Sequence, residues 1–355
     1  MLREPNMLLG TDPEFFFRWK DGPVAAEKVL PENGLAAVHR QHNYQRRAHA
    51  IFVDGVQAEL NTDAFSNRAA LVNGMADAFA TLRTHLKALN EKADPVTASF
   101  TQAVEFDQKF LDNIAPKNRE WLSQPSFNVY GLVPENANVD PKTYLKRIAG
   151  GHLHFGLFQP FMSDYEDHRQ QVVPLLDIFV GIPSVLMDRD PAAIERRRTY
   201  GLPGEYRLPS HGLEYRVLSN FWLRSPLLAQ LVTGLSRLAF GVLYETVQYN
   251  NDLEGKLKEK IDISDVIDAI LTNDADAALK IYQDVIRPFV VEYCTEANSG
   301  LTPGLIPQFD QFLTKIGEKG LDYFFPGDPL DVWADWPAKL DDNQWGSWCQ
   351  AITLD

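Results

Sequence analysis

The sequence has few cysteines, and it has no long apolar run. Its two cysteines, Cys294 and Cys349, lie far apart and in no metal-ligand spacing. This favours a reducing compartment over a disulfide framework, although a single disulfide between the two stays open. No run approaches the roughly eighteen apolar residues of a membrane span, and the start of the chain has no apolar signal core. We therefore expect a soluble protein of the cytoplasm (the host cytoplasm, if a phage encodes it) without a membrane partner.

Basic residues are also fewer than acidic ones. Asp and Glu number 48 against 34 Lys and Arg, which gives a net charge of -14. A nucleic-acid surface needs a basic stripe, so we expect no nucleic-acid partner. Any ATP site must then be a local basic island, and residues 196–207 supply one, with four arginines in twelve residues.

The remaining composition is that of a globular protein, with 45% hydrophobic and 23% charged residues in 355. This length suits one large domain or two ordinary ones, and no repeat, low-complexity segment or linker divides the chain. We expect one α+β domain, with a core over residues 1–224 that a helical part over residues 225–355 completes.

Hydrophobic periodicity predicts several elements. The predicted strands are one near the start that Pro13 interrupts, a hairpin over 50–60 that turns at Asp54 and Gly55, and one over 97–106. The predicted helices are one with Leu71, Met75, Phe79, Leu82, Leu86 and Leu89 on its apolar face, one within 172–187 that starts near Pro174 and ends or kinks at Pro183, one over 227–249 that begins at Ser225 and Pro226, and two over 263–271 and 275–294. Residues 31–49 and 115–141 read as loops.

Four separated segments place acidic or imidazole side chains on one strand face and apolar side chains on the other. They are TDPEFFF with Asp12 and Glu14, DGVQAEL with Glu59, GGHLHFG with His152 and His154, and EYR with Glu214 and Arg216. Buried together without countercharge, such carboxylates would each cost several kcal/mol, as an order of magnitude. Convergence therefore predicts metal ions and a polyanionic ligand, for which the guanidinium groups of Arg196, Arg197, Arg198, Arg207 and Arg216 are the natural partners.

Each pattern alone also has an ordinary explanation. A His-x-His pair is more often structural than metal-binding, E-Y-R is a common surface ion pair, and Asp-Pro-Glu often starts a turn. Three consecutive arginines cannot all face one pocket, so at least one is expected to face solvent or to pair with Glu195 or Asp190. For His39, His42 and His49, and for Glu135 and Asn136, exposed loop positions are the favoured interpretation, and Asp177 and Asp188 are expected to cap or pair rather than to bind metal.

In combination and in this order, the motifs resemble the phage-type carboxylate-amine ligases, amidoligases of the glutamine synthetase and glutamate-cysteine ligase superfamily. The blocks are G-T-D-P-E-F at 10–15, D-G-x-x-x-E-L at 54–60, G-G-H-L-H-F-G at 150–156 and a long, most specific one at 196–222. The resemblance covers roughly the first two thirds of the chain. It implies a large antiparallel, partly barrel-like sheet with helices on one side, and ATP-dependent formation of an amide or peptide bond through an acyl phosphate.

The resemblance also implies roles for individual residues. The implied metal ligands are Asp12, Glu14, Glu59, His152 and Glu214. His154 would lie nearer the nucleotide phosphates, Arg198 and Arg207 would clamp them, and Arg216 would contact the substrate carboxylate or acyl phosphate. Oxygen ligands with a single imidazole suit Mg²⁺ or Mn²⁺ better than zinc. Asp12 stands where the family often has Glu, and its shorter side chain reaches less far.

The implied partners are a small-molecule or peptide carboxylate and an amine, whose identities the sequence leaves open, as it does the oligomeric state. Two other classes stay open as well. One is a guanidino phosphotransferase on the same fold, which would make ADP without an amide. The other is a non-catalytic phage structural or accessory protein, which predicts the loss of a ligand, whereas the whole expected set is present.

Overall fold

The computed structural model describes residues 6–20, 22–38, 48–91, 95–119, 126–140, 142–157, 168–294, 312–316, 318–324 and 327–334. Within this part of the chain, helices pack with antiparallel sheets, so the predicted α+β class is confirmed. The described strands form a five-stranded, a six-stranded and a two-stranded sheet and close into no barrel. The expected single, partly barrel-like sheet is therefore corrected to separate antiparallel sheets.

The described strands are β1 (Leu8–Thr11), β2 (Glu14–Trp19), β3 (Gly22–Val24), β4 (Leu35–Val38), β5 (Ala48–Asp54), β6 (Gln57–Asn61), β7 (Thr97–Ser99), β8 (Ala103–Glu105), β9 (Phe127–Asn128), β10 (Lys146–Ile148), β11 (Leu153–Gly156), β12 (Glu205–Arg207) and β13 (Gly212–Tyr215).

The described helices are α1 (Arg68–Asn90), α2 (Gln108–Asp112), α3 (His168–Leu176), α4 (Ile182–Met187), α5 (Ala192–Arg197), α6 (Pro226–Tyr249), α7 (Leu253–Lys258), α8 (Ile263–Thr272), α9 (Ala275–Ile281), α10 (Arg287–Tyr293), α11 (Leu321–Phe324) and α12 (Pro329–Ala334). Single π-helical turns, Asp177–Gly181 and Tyr282–Ile286, join α3 to α4 and α9 to α10, and 3₁₀ turns cover Ala26–Lys28, Pro116–Asn118 and Asn220–Arg224.

Pro13 separates the two large sheets, as the predicted interruption requires. The five-stranded sheet has the order β1-β11-β13-β12-β9, and the six-stranded sheet has the order β3-β2-β6-β5-β4 with β7 also on β2. The end of β6 and the residue after it bond across the break, because Leu60 N donates to Pro13 O at 3.0 Å and Thr62 N donates to Thr11 O at 3.0 Å. Proline has no N–H for a ladder, so the strand divides there instead of continuing.

Two of the predicted strand regions need adjustment. The hairpin is confirmed, but Asp54 pairs with Gln57, so its turn consists of Gly55 and Val56. Gly55 has a φ of 58°, which only glycine adopts without strain. The strand predicted over 97–106 is two strands, because β7 pairs with β2 and β8 pairs with β10. The segments predicted as loops also contain strands: β4 and the start of β5 fall within 31–49, and β9 falls within 115–141.

Four of the five predicted helices are confirmed, and two of them, α1 and α6, form the centre of the core. The fifth, predicted within 172–187, begins at His168 and not near Pro174, and it does not end at Pro183. The apolar face of α1 is buried from Leu71 to Leu86, with Leu89 half-buried. Ser225 caps α6 by accepting a hydrogen bond from Leu227 N. His168–Met187 and α6 are long and apolar enough to cross a membrane, but 83% and 89% of their most apolar windows are buried inside the fold, as in core helices.

The helix that leads into α4 runs through Pro174 and, after the π-helical turn, through Pro183. Asp177 lies in this turn, fully buried, and accepts a hydrogen bond from Tyr215 Oη at 2.7 Å. Asp188, beyond α4, accepts bonds from Gln102 Nε2 and Ser219 Oγ, both at 2.6 Å. Both aspartates therefore pair as predicted. Cys294 is buried, whereas Cys349 lies outside the described residues.

We predict that Asp177 makes stability depend on pH. Burial raises the pKa of Asp177 to about 7 despite its hydrogen bonds. The folded protein therefore binds this proton more tightly than the unfolded chain does, and stability falls as the pH rises from about 4 to about 7. Over that interval Asp177→Asn should gain up to about 4 kcal/mol relative to the unmodified protein, measured by denaturant unfolding. A difference that stays constant across the interval would contradict this.

Candidate active site

The site lies where the two large sheets meet, and the chain passes from one sheet to the other through Asp12, Pro13 and Glu14. Asp12 follows β1 of the five-stranded sheet, and Glu14 begins β2 of the six-stranded sheet. Glu14 is tied across the boundary, because its N–H donates to Gly150 O at 2.8 Å and its Oε2 accepts from Gly150 N at 2.6 Å. Two acids that are close in sequence thus serve two different groups of side chains.

The first group, the imidazole cluster, consists of Asp12, His152, His154 and Glu214. Asp12 Oδ1 lies 3.2 Å from His152 Nδ1, and Asp12 Oδ2 lies 3.0 Å from His154 Nε2. Glu214 is directly opposite His154 in the β11–β13 pair, and its Oε1 is 3.7 Å from His152 Nδ1. Ligand atoms of Asp12, His154 and Glu214 all lie within 4.8 Å of one another.

The second group, the carboxylate cluster, consists of Glu14, Asp54 and Glu59. Glu14 and Glu59 are directly paired between β2 and β6. One oxygen from each of the three side chains lies within 4.8 Å of the others. Asp54 was read only as a turn former, but it shares a face with Glu59, because Phe52 pairs with Glu59 and Asp54 with Gln57. Alternation along the predicted hairpin would have identified it.

Strand alternation explains why the predicted residues point inward together. On β11 the neighbours of the histidines, Leu153 and Phe155, are buried in the core. On β13 the same holds for Tyr215, with Val217 just beyond it. A Cβ on Gly150 would lie 2.2 Å from His152 Nε2, so the glycine lets the backbone pass directly over the imidazole.

The arginines divide into those at the site and those elsewhere. Arg216 Nη1 donates to Glu214 Oε1, and Arg207 Nη1 lies 3.6 Å from the same oxygen. Arg198 is half exposed and pairs with Glu195 at 3.2 Å and Glu135 at 3.5 Å, so the structure places it apart from both clusters.

The other two arginines of the run are structural. Arg196 is buried and donates to the backbone oxygens of Arg216, Val217 and Leu218, and Arg197 donates to Asn273 Oδ1 at 3.1 Å. The expected division of the three arginines is therefore confirmed, with Arg198 as the exposed one. His39 and His42, and the side chain of His49, lie outside the described residues.

Carboxyl pKa values at the site are strongly displaced. Burial, followed by repulsion from Asp12, Asp54, Glu14 and Glu214, raises the pKa of Glu59 to about 10. Burial and the neighbouring Asp54 raise the pKa of Glu14 to about 7. For Asp12, burial opposes ionisation, but attraction to His154 and His152 outweighs it and holds the pKa well below the usual range. The carboxylate cluster therefore has too little countercharge from Arg216 and Arg207 to offset burial and mutual repulsion, whereas the histidines beside Asp12 do so in the imidazole cluster.

The two histidines are displaced in opposite directions. Burial and the nearby Arg216 guanidinium lower the pKa of His152 to about 4, so it is neutral at physiological pH. Burial also disfavours the charged form of His154, but attraction to Asp12 more than offsets this and raises its pKa. His154 Nδ1 also lies 3.2 Å from Nε2 of His211, a residue that the sequence did not indicate.

The donors fit a divalent cation. Asp12 Oδ1, both His152 ring nitrogens and His154 Nε2 are buried, and apart from the contacts between Asp12 and the two histidines they have no hydrogen bond among the described residues. A neutral imidazole carries one proton, so His152 retains a lone pair for a ligand. Carboxylate oxygens with few imidazoles and no thiolate match the preferences of Mg²⁺ or Mn²⁺.

Comparison with known protein families concerns the part of the site that lies after residue 142. Residues 142–259 match the family model described as "Phage phiEco32-like COOH.NH2 ligase-type 2". The segment is similar to carboxylate-amine ligases of this type, so the resemblance to the phage-type ligases is confirmed over these residues. The ligase segment, residues 142–259, contributes both histidines, Arg207, Glu214 and Arg216, whereas Asp12, Glu14, Asp54 and Glu59 precede it.

A second comparison concerns solved structures. The crystal structure of a bifunctional glutathione synthetase from Pasteurella multocida aligns with 93% of this chain at 12% identity and a TM-score of 0.37. The chain covers 55% of that protein, about half its length. No curated protein matches the chain.

We predict that Mg²⁺ reduces the stability advantage of Glu59→Gln. Without metal at pH 8, the variant should unfold at least about 2 °C above the unmodified protein, since glutamine removes a carboxyl that the fold disfavours in its ionised form. With saturating Mg²⁺ this difference should shrink, because cation binding stabilises the unmodified protein by about 2.7 kcal/mol at a hundred times the dissociation constant, whereas the variant lacks one of the ligands. Thermal unfolding with and without Mg²⁺ measures both.

Glu292→Gln is the matched control, since Glu292 is exposed and pairs with Lys260 away from both clusters. If Glu59→Gln and Glu292→Gln respond to Mg²⁺ alike, the carboxylate cluster is no cation site.

Proposed function

We propose that the protein is an ATP-dependent carboxylate-amine ligase that forms an amide or peptide bond through an acyl phosphate. One observation carries the proposal: acids, histidines and arginines from four separated segments converge at the junction of two sheets, and the later segments lie within the ligase segment. The geometry provides two adjacent anionic groups with guanidinium on one side. This is the arrangement that transfer of a phosphoryl group between two anions requires.

Mg²⁺ or Mn²⁺ would be held by the two clusters. Asp12, Glu214 and a histidine supply donors for one position, and Glu14, Asp54 and Glu59 supply donors for the other. A divalent cation there neutralises phosphate oxygens and polarises the bond to the transferred phosphorus. The low pKa of Asp12 and of His152 leaves both as lone-pair donors at neutral pH, so neither requires deprotonation first.

The arginines supply fixed positive charge beside the clusters. Arg216 is buried and held by Glu214, and its pKa is raised by that carboxylate although burial lowers it. We assign Arg216 to the substrate carboxylate and the acyl phosphate, and Arg207 with His154 to the nucleotide phosphates. The resemblance also assigns Arg198 to the phosphates. In the structure its ion pairs are with Glu195 and Glu135 and not with either cluster, so this role stays a prediction.

The proposed reaction has two displacements. A carboxylate oxygen attacks the γ-phosphorus of ATP, the bond to the β-phosphate oxygen breaks, and ADP leaves. The amine nitrogen then attacks the acyl carbon, inorganic phosphate leaves with the carboxylate oxygen, and the nitrogen loses a proton. Arg216 and Arg207 counter the charge on the transferred group at each stage. We propose small-molecule or peptide carboxylates and amines as the substrates. We also propose that the reaction takes place in the cytoplasm.

We predict that Glu214→Gln lowers amine-dependent ADP release at least about a hundredfold, because Glu214 both donates to the imidazole cluster and holds Arg216. A panel of carboxylate and amine pairs is assayed for phosphate release with ATP and Mg²⁺. Mass spectrometry then tests for a product whose mass equals the two substrates minus water.

Glu292→Gln is again the control, since Glu292 pairs with Lys260 at 3.2 Å away from both clusters and its loss should leave turnover unchanged. Phosphate transfer onto a guanidinium substrate without water loss would replace the proposal with a phosphotransferase. Full activity in Glu214→Gln would remove Glu214 from the mechanism.

A further inference from the structure

The turn formed by residues 200–205, here called the glycine turn, contacts both clusters. It reads YGLPGE and leads from α5 into β12. Gly201 and Gly204 have φ values of 82° and 78°, a conformation that suits glycine and holds the turn in one shape. Its two ends carry Tyr200 and Glu205, which the sequence did not single out.

Tyr200 reaches the carboxylate cluster. Its hydroxyl donates to Glu14 Oε2 at 2.6 Å, the oxygen that also accepts from Gly150 N at 2.6 Å. Two donors on one oxygen fix the carboxylate plane and leave Oε1 for the cluster. The tyrosine ring is itself fixed, since the guanidinium carbons of Arg196 and Arg216 lie 4.9 Å and 5.2 Å from its centroid.

Glu205 reaches the imidazole cluster through Arg216. Its Oε2 accepts from Gly201 N at 2.6 Å and from Leu202 N at 3.0 Å, so this oxygen closes the turn. Its Oε1 lies 3.7 Å from Arg216 Nε, whose Nη1 bonds to Glu214. Glu205 is 4% exposed, so it makes these contacts inside the fold.

We infer that the glycine turn positions both clusters at once, with Tyr200 orienting Glu14 for a cation and Glu205 orienting Arg216 for the transferred group. The inference rests on the proposed function for the role of Arg216, but not for the role of Tyr200. Neither residue touches the reacting atoms, so both are positioning residues. Partners of this kind, behind a metal ligand, typically change metal affinity or activity by 10- to 100-fold.

The first test removes a single hydroxyl group. Tyr200→Phe keeps the ring between the two arginines and should lower the affinity for Mn²⁺ by about tenfold or more, measured by calorimetric titration of the full chain. Tyr144→Phe is the matched control, because its hydroxyl accepts from Asn136 Nδ2 at 3.1 Å away from the clusters. It should bind Mn²⁺ like the unmodified protein. Equal affinities of the two variants would overturn the role of Tyr200.

The second test separates positioning from folding. Glu205→Gln retains an oxygen for the turn but presents an N–H group to Arg216 Nε, so kcat should fall about 10- to 100-fold while KM for the carboxylate stays within about threefold. Mn²⁺ affinity should stay close to that of the unmodified protein. A loss of Mn²⁺ affinity and thermal stability in proportion to kcat would overturn the role of Glu205 and leave a purely structural one.

The two proposals fail differently. If the unmodified protein binds Mn²⁺ but ligates no substrate pair, the ligase proposal fails, and the comparison of Tyr200→Phe with Tyr144→Phe still decides the inference about Glu14. If the unmodified protein binds no Mn²⁺, there is no cation for Tyr200 to position Glu14 toward, and the inference is overturned.

Discussion

The mutual repulsion of carboxylates that the fold brings together is the constraint on which the rest of the structure depends. Glu14, Asp54 and Glu59 face one another with little countercharge, and the raised pKa values of Glu14 and Glu59 express that cost. Asp12 and Glu214 have histidine and arginine neighbours and remain ionised. The protein alone therefore balances the charge of one cluster more fully than that of the other, and in the proposed function a bound cation balances the second.

This arrangement is sustained by the same strands that build the core. Every second residue of β11 and β13 packs against buried helices, and the residues between them carry the chemistry. Phe155, for example, packs against Phe240 of α6 at a centroid distance of 4.6 Å, while its neighbour His154 faces Asp12. A change in the packing of α6 is therefore expected to be felt at the imidazoles, because close-packed interiors transmit small displacements.

Much of the site could be predicted from the sequence, because strand alternation is local. The shared faces of His152 with His154 and of Glu214 with Arg216, and the break at Pro13, follow from a period of two and from the missing N–H of proline. The division into separate sheets could not be predicted, since it depends on which distant strands pair.

Other contributions to the site also depended on pairing or on tertiary contact. Asp54 was overlooked because its local pattern, followed by glycine, is equally that of a turn. Arg198 lies in a basic run that looked like a single unit, yet Arg196 and Arg197 at the end of α5 and Arg198 just after it have different partners. Tyr200 and Glu205 acquire their roles only through contacts with Glu14 and Arg216, which are far apart along the chain.

The Pro13 break has a consequence for how such a protein can diversify. Since Asp12 and Glu14 are separated by one residue, two consecutive peptide units set the spacing between the clusters, whatever the length of the surrounding loops. The loops that join the strands can then be lengthened, shortened or exchanged without altering that spacing. Related proteins could thus acquire new substrates through changes in these loops, while the distance between the two clusters stays the same.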